Sequence, residues 1–179
     1  ASDVYKRQRM KSLIQEMLDL TRADQVDIQF PNAVVDVHQT VQQVVGDFRM
    51  IHPEFTFTLD DDLEQKTFVR MYRNHLEQVM IILLDNAVKY STDRKEIHVS
   101  MAENSVSGVA VAVQDFGEGI AEADRRRVFN RFYRVDKSRS AGEGFGLGLS
   151  MVRFIVDIHG GSIAVKSKPG YGTTFTVSL

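Results

Sequence analysis

One segment of the sequence places an amide, an ammonium group and a phenol close together. Asn86, Lys89 and Tyr90 are spaced i, i+3 and i+4, so they share a face if the segment is helical. An amide oxygen is a suitable ligand for magnesium, and a lysine three residues further on can reach a phosphate. An ordinary helix end, where the helix dipole favours a lysine, also explains the same residues.

A second segment, residues 115–120, reads Asp-Phe-Gly-Glu-Gly-Ile and directly follows a strongly apolar run. A carboxylate at the end of a strand, here Asp115, can accept a hydrogen bond from an amino group such as that of adenine. Gly117 and Gly119 would let the backbone approach a flat ring closely. A simple Asp/Gly turn is the alternative for this segment taken by itself.

A third segment, residues 142–149, has a glycine at every second position and leads into a predicted helix. The backbone N–H groups and the dipole at such a helix start favour an anion. The segment is not a Walker loop, because no Gly-Lys-Ser/Thr follows, and it lacks the opening strand-turn-helix unit of a dinucleotide fingerprint. A lone glycine-rich run is weak evidence for a phosphate site.

The elements that must position these segments follow from the hydrophobic pattern. A strong helix runs from Asn74 to Lys89, with a capping-box pattern formed by Asn74 and Glu77. Further helices are predicted at 9–24, 38–49 and 147–159, and strands at 34–37, 55–59, 67–69, 97–101, 109–113, 163–165 and 174–177. This pattern predicts an α+β fold, a two-layer sandwich of a mixed sheet with helices on one face, plus an N-terminal helix.

The order and separation of the three segments resemble those of the GHKL ATPase superfamily. Between the second and the third, residues 129–134 read Phe-Asn-Arg-Phe-Tyr-Arg, which resembles the phenylalanine box of sensor histidine kinases. The run at 159–163, His-Gly-Gly-Ser-Ile, and the stretch at 169–175 are also typical of that family. The resemblance covers residues 9–179 and implies the ATP-binding catalytic domain of a sensor histidine kinase, with the Bergerat fold.

This resemblance implies an enzyme that transfers the γ-phosphoryl group of Mg-ATP to a protein histidine, for relay to an aspartate of a response regulator. It gives the catalytic roles to Asn86 as the magnesium ligand, to Lys89 at the phosphates and to Arg134 at the transferred group. Such chemistry depends mainly on positioning and on charge neutralisation.

The implied nucleotide site draws on all of these segments. Its residues are Asn86, Lys89, Tyr90, Asp115, Gly117, Gly119, Ile120, Phe129, Phe132, Tyr133, Arg134, Gly144, Gly146, Leu147, Gly148, Leu149 and Thr173. Residues 121–143 would form a mobile lid, which Phe129 and Phe132 would anchor by burying their rings. Lys137 and Arg139 could add positive charge at the phosphates or could be solvated lid residues.

Two positions depart from the pattern of the family. Many members carry a second asparagine four residues before the first, where this sequence has Ile82. The aspartate often found at the start of the same helix is replaced by Tyr72. An inactive nucleotide-binding signalling module is therefore one alternative. Another is a GHKL ATPase of the mismatch-repair, topoisomerase or chaperone type, although those usually place a glutamate base at position 82 and lack the Phe-Tyr-Arg box.

The phosphoacceptor histidine of the family has no counterpart in this sequence. None of the histidines stands in a His-Glu/Asp-x-Arg/Lys-x-Pro context, which covers His38, His52, His75, His98 and His159. The helix at 9–24 is similar to the second helix of the family's dimerisation hairpin. We therefore expect a partial dimerisation helix at 1–26, a catalytic domain at 27–179, and a parent protein that forms a homodimer through these helices.

Composition and charge exclude several other classes. The chain has 179 residues and no cysteine, which removes disulfide scaffolds, cysteine-ligated zinc and cysteine nucleophiles. Its 22 basic and 24 acidic residues argue against binding to nucleic acid. No apolar run approaches the roughly 20 residues that cross a bilayer. We expect a cytoplasmic fragment that does not itself span a membrane, on the cytoplasmic side of a membrane-anchored parent.

Overall fold

The computed structural model describes residues 33–72, 74–104, 108–135 and 146–179, which belong to one unit of the chain, Asn32–Leu179. Several predictions lie outside the described residues, namely the helix at 9–24, the domain boundary after residue 26, Gly144, Lys137 and Arg139. The division into a dimerisation helix and a catalytic domain therefore stays a prediction.

The described residues form seven strands and four helices. The strands are β1 (Ala33–Asp36), β2 (Thr56–Asp61), β3 (Phe68–Met71), β4 (Glu96–Asn104), β5 (Gly108–Asp115), β6 (Ser162–Lys168) and β7 (Gly172–Ser178). The helices are α1 (Val37–Ile51), α2 (His75–Tyr90), α3 (Glu122–Arg125) and α4 (Gly148–Ile158). Within the described part of the chain, no helix combines the length and the hydropathy that a membrane span requires.

The larger sheet has five strands in the order β2-β4-β5-β7-β6. β2 runs parallel to β4 and the other neighbours are antiparallel, so the sheet is mixed, as predicted. β1 and β3 pair in a separate two-stranded sheet, which the sequence pattern did not predict. The register of β5 with β7 sets Asp115 opposite Thr173, so two predicted site residues meet across the sheet.

The core lies between one face of the larger sheet and the helices. Alternate strand residues are buried there, including Ile97, Val99, Val111, Val113, Phe175 and Val177. α2 packs against both α1 and α4 and buries side chains along its whole length. The intervening strand residues are half-buried or exposed on the other face. This arrangement confirms the predicted α+β sandwich with helices on one face.

The helices α1 and α2 begin differently. The Asp36 side chain accepts a hydrogen bond from the backbone nitrogen of Gln39 at 3.0 Å, so α1 begins at Val37, where the sequence predicted a strand residue. At α2, Asn74 makes no capping bond and has a helical backbone, φ −92° and ψ −7°. A capping side chain needs an extended backbone to reach the first-turn amides. The predicted capping box of Asn74 and Glu77 is therefore wrong.

Candidate nucleotide-binding site

The carboxylate of Asp115 stands at the end of β5 and is 5% exposed. Its Oδ1 accepts hydrogen bonds from the backbone nitrogens of Gly117, at 2.9 Å, and Thr173, at 3.3 Å. Burial raises the pKa of Asp115 above its usual value, and these two backbone hydrogen bonds oppose that rise. Among the described ranges, no other residue donates a hydrogen bond to Oδ2. This oxygen can therefore accept a hydrogen bond from a ligand.

The glycines of the Asp115 segment are required by close backbone packing. A Cβ at Gly117 would overlap the carbonyl oxygen of Tyr90, the last residue of α2. Gly119 has φ +72°, and a Cβ there would overlap the carbonyl oxygen of Lys168. The backbone of Glu118 donates to Tyr90 at 3.3 Å. The segment thus packs closely between the end of α2 and the β6–β7 turn. This backbone packing requires the two glycines whether or not a flat ring of a ligand lies beside them.

Ser167 is a site residue that sequence analysis missed. Its Oγ accepts a hydrogen bond from the backbone nitrogen of Ile120 at 2.7 Å and donates to the carbonyl oxygen of Gly172 at 3.0 Å. The hydroxyl of Thr173, a residue only 6% exposed, lies 2.8 Å from the same Oγ. Ser167 therefore joins the end of the Asp115 segment to the start of β7. The pairing of β6 with β7, which sets Ser167 opposite Thr173, places it here, and no motif at its immediate neighbours in sequence predicted this position.

The end of α2 brings the first motif to the Asp115 segment. Asn86 and Lys89 are half-buried, and Tyr90 is 43% exposed. The ammonium group of Lys89 lies 5.2 Å from the centre of the Tyr90 ring. Since the carbonyl group of Tyr90 touches Gly117, the last turn of α2, which carries Asn86 and Lys89, lies beside the segment of the buried carboxylate.

Ile82 lies one turn before Asn86 and points into an apolar contact. It is 4% exposed, and a Cβ added at Gly148 would lie 3.0 Å from its Cγ2. Ile82, at the position where the resemblance implies an asparagine, therefore packs against the first residue of α4. The contact also places the start of α4 close to the Asn86 turn.

The start of α4 has no side-chain cap among the described residues. Leu147 occupies the cap position and makes no side-chain capping bond, and the Ser150 hydroxyl bonds back to the Leu147 carbonyl group at 2.7 Å. Gly148 and Leu149 form the beginning of the first turn. Unfilled N–H groups at a helix start suit a phosphate oxygen. The predicted anion-binding character of this segment is consistent with that geometry.

The phenylalanine-box segment, residues 129–134, buries one of its two phenylalanine rings. Phe129 is 9% exposed and meets Phe175 edge to face, with ring centres 6.1 Å apart. Phe132 is 70% exposed and has φ +63°, a backbone conformation that is uncommon for a residue other than glycine. Its backbone nitrogen donates to the carbonyl oxygen of Gly146 at 2.9 Å. The predicted ring burial is thus correct for Phe129 and wrong for Phe132.

Tyr133 is held by two residues of the segment before the phenylalanine box. Its hydroxyl donates to Asp124 Oδ1 at 2.5 Å, and the guanidinium group of Arg127 lies 4.4 Å from the ring centre. The hydrogen bond to Asp124 raises the pKa of the Tyr133 hydroxyl, so the phenol stays protonated. Arg134, next in sequence, is half-buried. The phenol of Tyr133 is thus directed at Asp124 in this structure.

The fold and this end of the sheet define a nucleotide-binding ATPase domain, and comparison with known proteins agrees. The family model described as histidine kinase-, DNA gyrase B-, and HSP90-like ATPase matches residues 71–179. The chain belongs to this family. Within this family, the chain is similar to signal-transduction histidine kinases.

The signal transduction histidine-protein kinase ArlS of Staphylococcus aureus is 36% identical over 176 residues, which are 97% of this chain. The chain spans 38% of the length of ArlS. The mycobacterial sensor histidine kinase MprB has a TM-score of 0.71 and 25% identity, over 83% of this chain and 96% of that one. Full-length ShkA in complex with AMPPNP shares the fold, with a TM-score of 0.77 and 24% identity over 94% of this chain and 35% of that one.

Proposed function

We propose that this domain binds Mg-ATP and transfers its γ-phosphoryl group to a histidine on the dimerisation domain of the parent protein. The phosphoryl group then passes to an aspartate of a response regulator. The observation that carries the proposal is the buried Asp115 carboxylate, whose Oδ2 is left for a ligand donor beside the end of α2. The similarity to the histidine-protein kinase ArlS supports the reaction.

Asp115 is the recognition group for the base. Its Oδ2 accepts the exocyclic amino group of adenine, while Oδ1 stays fixed by Gly117 and Thr173. Guanine presents a carbonyl oxygen at the corresponding place, which would face a carboxylate oxygen without a proton between them. The site should therefore discriminate strongly against GTP, because a buried acceptor would be left unpaired.

The residues at the end of α2 suit a magnesium ion that is bound mainly by the phosphates of the nucleotide. Among the described residues there is no group of three or more His, Cys, Asp or Glu side chains that could hold a metal. Magnesium in nucleotide sites keeps several waters and takes few protein ligands besides the phosphates. The amide oxygen of Asn86 suits that role, and the ion supplies charge neutralisation at the phosphates when it is bound.

The positive groups and open amides around Asn86 bind and neutralise the phosphate chain. Lys89 lies one turn further along α2, and the uncapped start of α4 offers backbone N–H groups near Ile82. Arg134 approaches the transferred group when the lid closes. Electrostatic stabilisation of this kind accounts for most of the catalysis of phosphoryl transfer. Gly146, which follows the lid, helps to close it onto the phosphates.

The acceptor histidine and the response regulator both lie outside this domain. The acceptor histidine belongs to the dimerisation hairpin, to which residues 1–26 would contribute one helix, and the parent would act as a homodimer. The response regulator receives the phosphoryl group. The membrane anchor of the parent and the cytoplasmic placement of this domain belong to the same proposal.

A nucleotide-binding but inactive module is the second candidate, favoured by one observation. Ile82 replaces a common asparagine of the family and is committed to an apolar contact with the start of α4. An inactive module would bind ATP and would label no acceptor.

Two measurements test the proposal. Calorimetry should show ATP binding at least about tenfold tighter than GTP binding, and Asp115→Asn should cost about 1–3 kcal/mol of ATP affinity. Asp93→Asn, an exposed aspartate in the loop after α2, is the matched control and should bind ATP like the wild type. Equal binding of ATP and GTP by the wild type would remove the role of Asp115.

Labelling with radioactive ATP separates a kinase from an inactive module. The chain alone should remain unlabelled, because none of its five histidines has the acceptor context. Adding the phosphoacceptor hairpin of the parent should give label that is acid-labile and base-stable, as phosphohistidine is. ATP binding without transfer to that hairpin would favour the inactive module instead.

A further inference from the structure

Phe116, the residue between Asp115 and Gly117, carries a stack of charged and aromatic groups. The guanidinium carbon of Arg94 lies 3.5 Å from the centre of the Phe116 ring. The ring of His98, on β4, meets Phe116 edge-on with ring centres 4.9 Å apart. Asp115 pairs with Ile97, the neighbour of His98 on β4, and neighbouring strand residues point to opposite faces, so His98 and the stack lie on the face away from the Asp115 side chain.

The guanidinium group of Arg94 is oriented by a second contact. Its Nη2 donates to Glu96 Oε2 at 2.7 Å, and the same oxygen lies 3.7 Å from Nε2 of His98. Glu96 and His98 are two residues apart on β4 and so face the same side of the sheet. The guanidinium group is therefore held over the ring by a second contact, which the single ammonium group of a lysine would not reproduce in the same geometry.

The stack of Arg94 on Phe116 connects two segments that carry residues of the proposed nucleotide site. Arg94 lies in the loop that joins the end of α2 at Tyr90 to the start of β4. Phe116 lies at the point where β5 leaves the sheet, directly after Asp115. The stack thus ties the loop that follows the Asn86 and Lys89 turn to the segment that carries the carboxylate.

We propose that Arg94 is a positioning residue for nucleotide recognition, and that its stacking on Phe116 sets where the Asp115 carboxylate stands relative to the end of α2. The inference rests on the proposed role of Asp115 in binding the amino group of adenine. Arg94 does not touch the nucleotide. Its removal should loosen the placement of Asp115 and weaken only those interactions that the carboxylate makes.

The test compares two nucleotides by calorimetry with the whole chain. ATP has the exocyclic amino group, and purine riboside triphosphate lacks it, so only ATP reports on Asp115. Arg94→Ala should lower ATP affinity about threefold to fivefold, as expected for an exposed cation–π contact, and leave the analogue's affinity unchanged. Arg94→Lys should lose as much, and Phe116→Ala combined with Arg94→Ala should lose less than the sum of the two single losses.

Lys95→Ala is the matched control, because Lys95 is exposed in the same loop and lies 5.1 Å from the Phe55 ring instead. It should bind both nucleotides like the wild type. Equal weakening of ATP and the analogue by Arg94→Ala, or no weakening of either, would overturn the positioning role. A wild type that binds both nucleotides equally would instead overturn the proposed role of Asp115, and this inference with it.

Discussion

The α-carbon of Gly117 lies against the carbonyl oxygen of Tyr90, so closely that a Cβ on residue 117 would overlap that oxygen. The amide of Gly117 simultaneously donates to Asp115 Oδ1 at 2.9 Å. One glycine therefore touches the end of α2 with its α-carbon and fixes the buried carboxylate with its nitrogen. The distance between the end of α2 and the Asp115 carboxylate therefore depends on the absence of a side chain at residue 117.

Gly117→Ala should therefore disrupt nucleotide binding. The added methyl group must push the Asp115 segment away from α2, which we expect to cost about 1–3 kcal/mol of stability and to lower ATP affinity at least about tenfold. Gly46→Ala is the control, because a Cβ at Gly46 in α1 meets nothing within 4 Å. It should stabilise the fold by about 0.5–1 kcal/mol and leave ATP binding unchanged. Unimpaired ATP binding by Gly117→Ala in calorimetry would contradict the packing argument.

Asn86→Ala should abolish magnesium-dependent phosphoryl transfer and leave the fold intact. The half-buried amide contributes little to the core, but its oxygen is the proposed magnesium ligand. Gln78→Ala, which removes a half-buried amide two turns earlier in α2, should transfer at the wild-type rate. The assay is label transfer from ATP to the phosphoacceptor hairpin, with unfolding curves for both variants. A wild-type rate for Asn86→Ala would mean that Asn86 is not the ligand.

Binding of a non-hydrolysable ATP analogue should slow amide exchange across residues 121–135, because the lid closes over the nucleotide. Tyr133→Phe removes the hydrogen bond to Asp124 and should speed exchange in the same range without nucleotide. Tyr171→Phe changes an exposed tyrosine in the β6–β7 turn and serves as the control, with no effect on that range. Exchange that is insensitive to the analogue would point to a rigid segment and a different pocket.

The stability of the fold should fall as the pH falls from about 6.5 to about 4. His75 is 6% exposed and shares a 2.8 Å hydrogen bond with His159. Burial, and to a lesser extent the charge of His159, lower the pKa of His75 from 6.5 to about 4. As the pH falls, the unfolded chain takes up the proton first, so this group can remove up to about 3 kcal/mol of stability.

Urea unfolding at several pH values measures this effect. His75→Phe should show a smaller loss of stability between pH 6.5 and 4 than the wild type. His52→Gln, at the end of α1 and remote from this pair, should keep the wild-type loss. If His75→Phe and the wild type lose the same free energy of unfolding, His75 does not remain neutral in the folded protein.

The parts of the site that lie within one element could be predicted from sequence. The apolar spacing of α2 placed Asn86, Lys89 and Tyr90 on one face, and the apolar run of β5 placed Asp115 at a strand end. These features depend on local periodicity, which the chain carries regardless of what packs against it. The order of the three motifs resembles that of the GHKL superfamily, and this resemblance predicted that the segments form one site, which no local pattern shows.

The tertiary structure alone decided how these segments meet. The register of β5 with β7 sets Asp115 against Thr173, and Ser167 enters the site through the pairing of β6 with β7. Phe132 is exposed and has φ +63°, although an aromatic ring by itself predicts burial. The contact between His75 and His159 likewise joins residues far apart in sequence. Strand register and close backbone packing depend on all the neighbours at once, so no short stretch of sequence contains them.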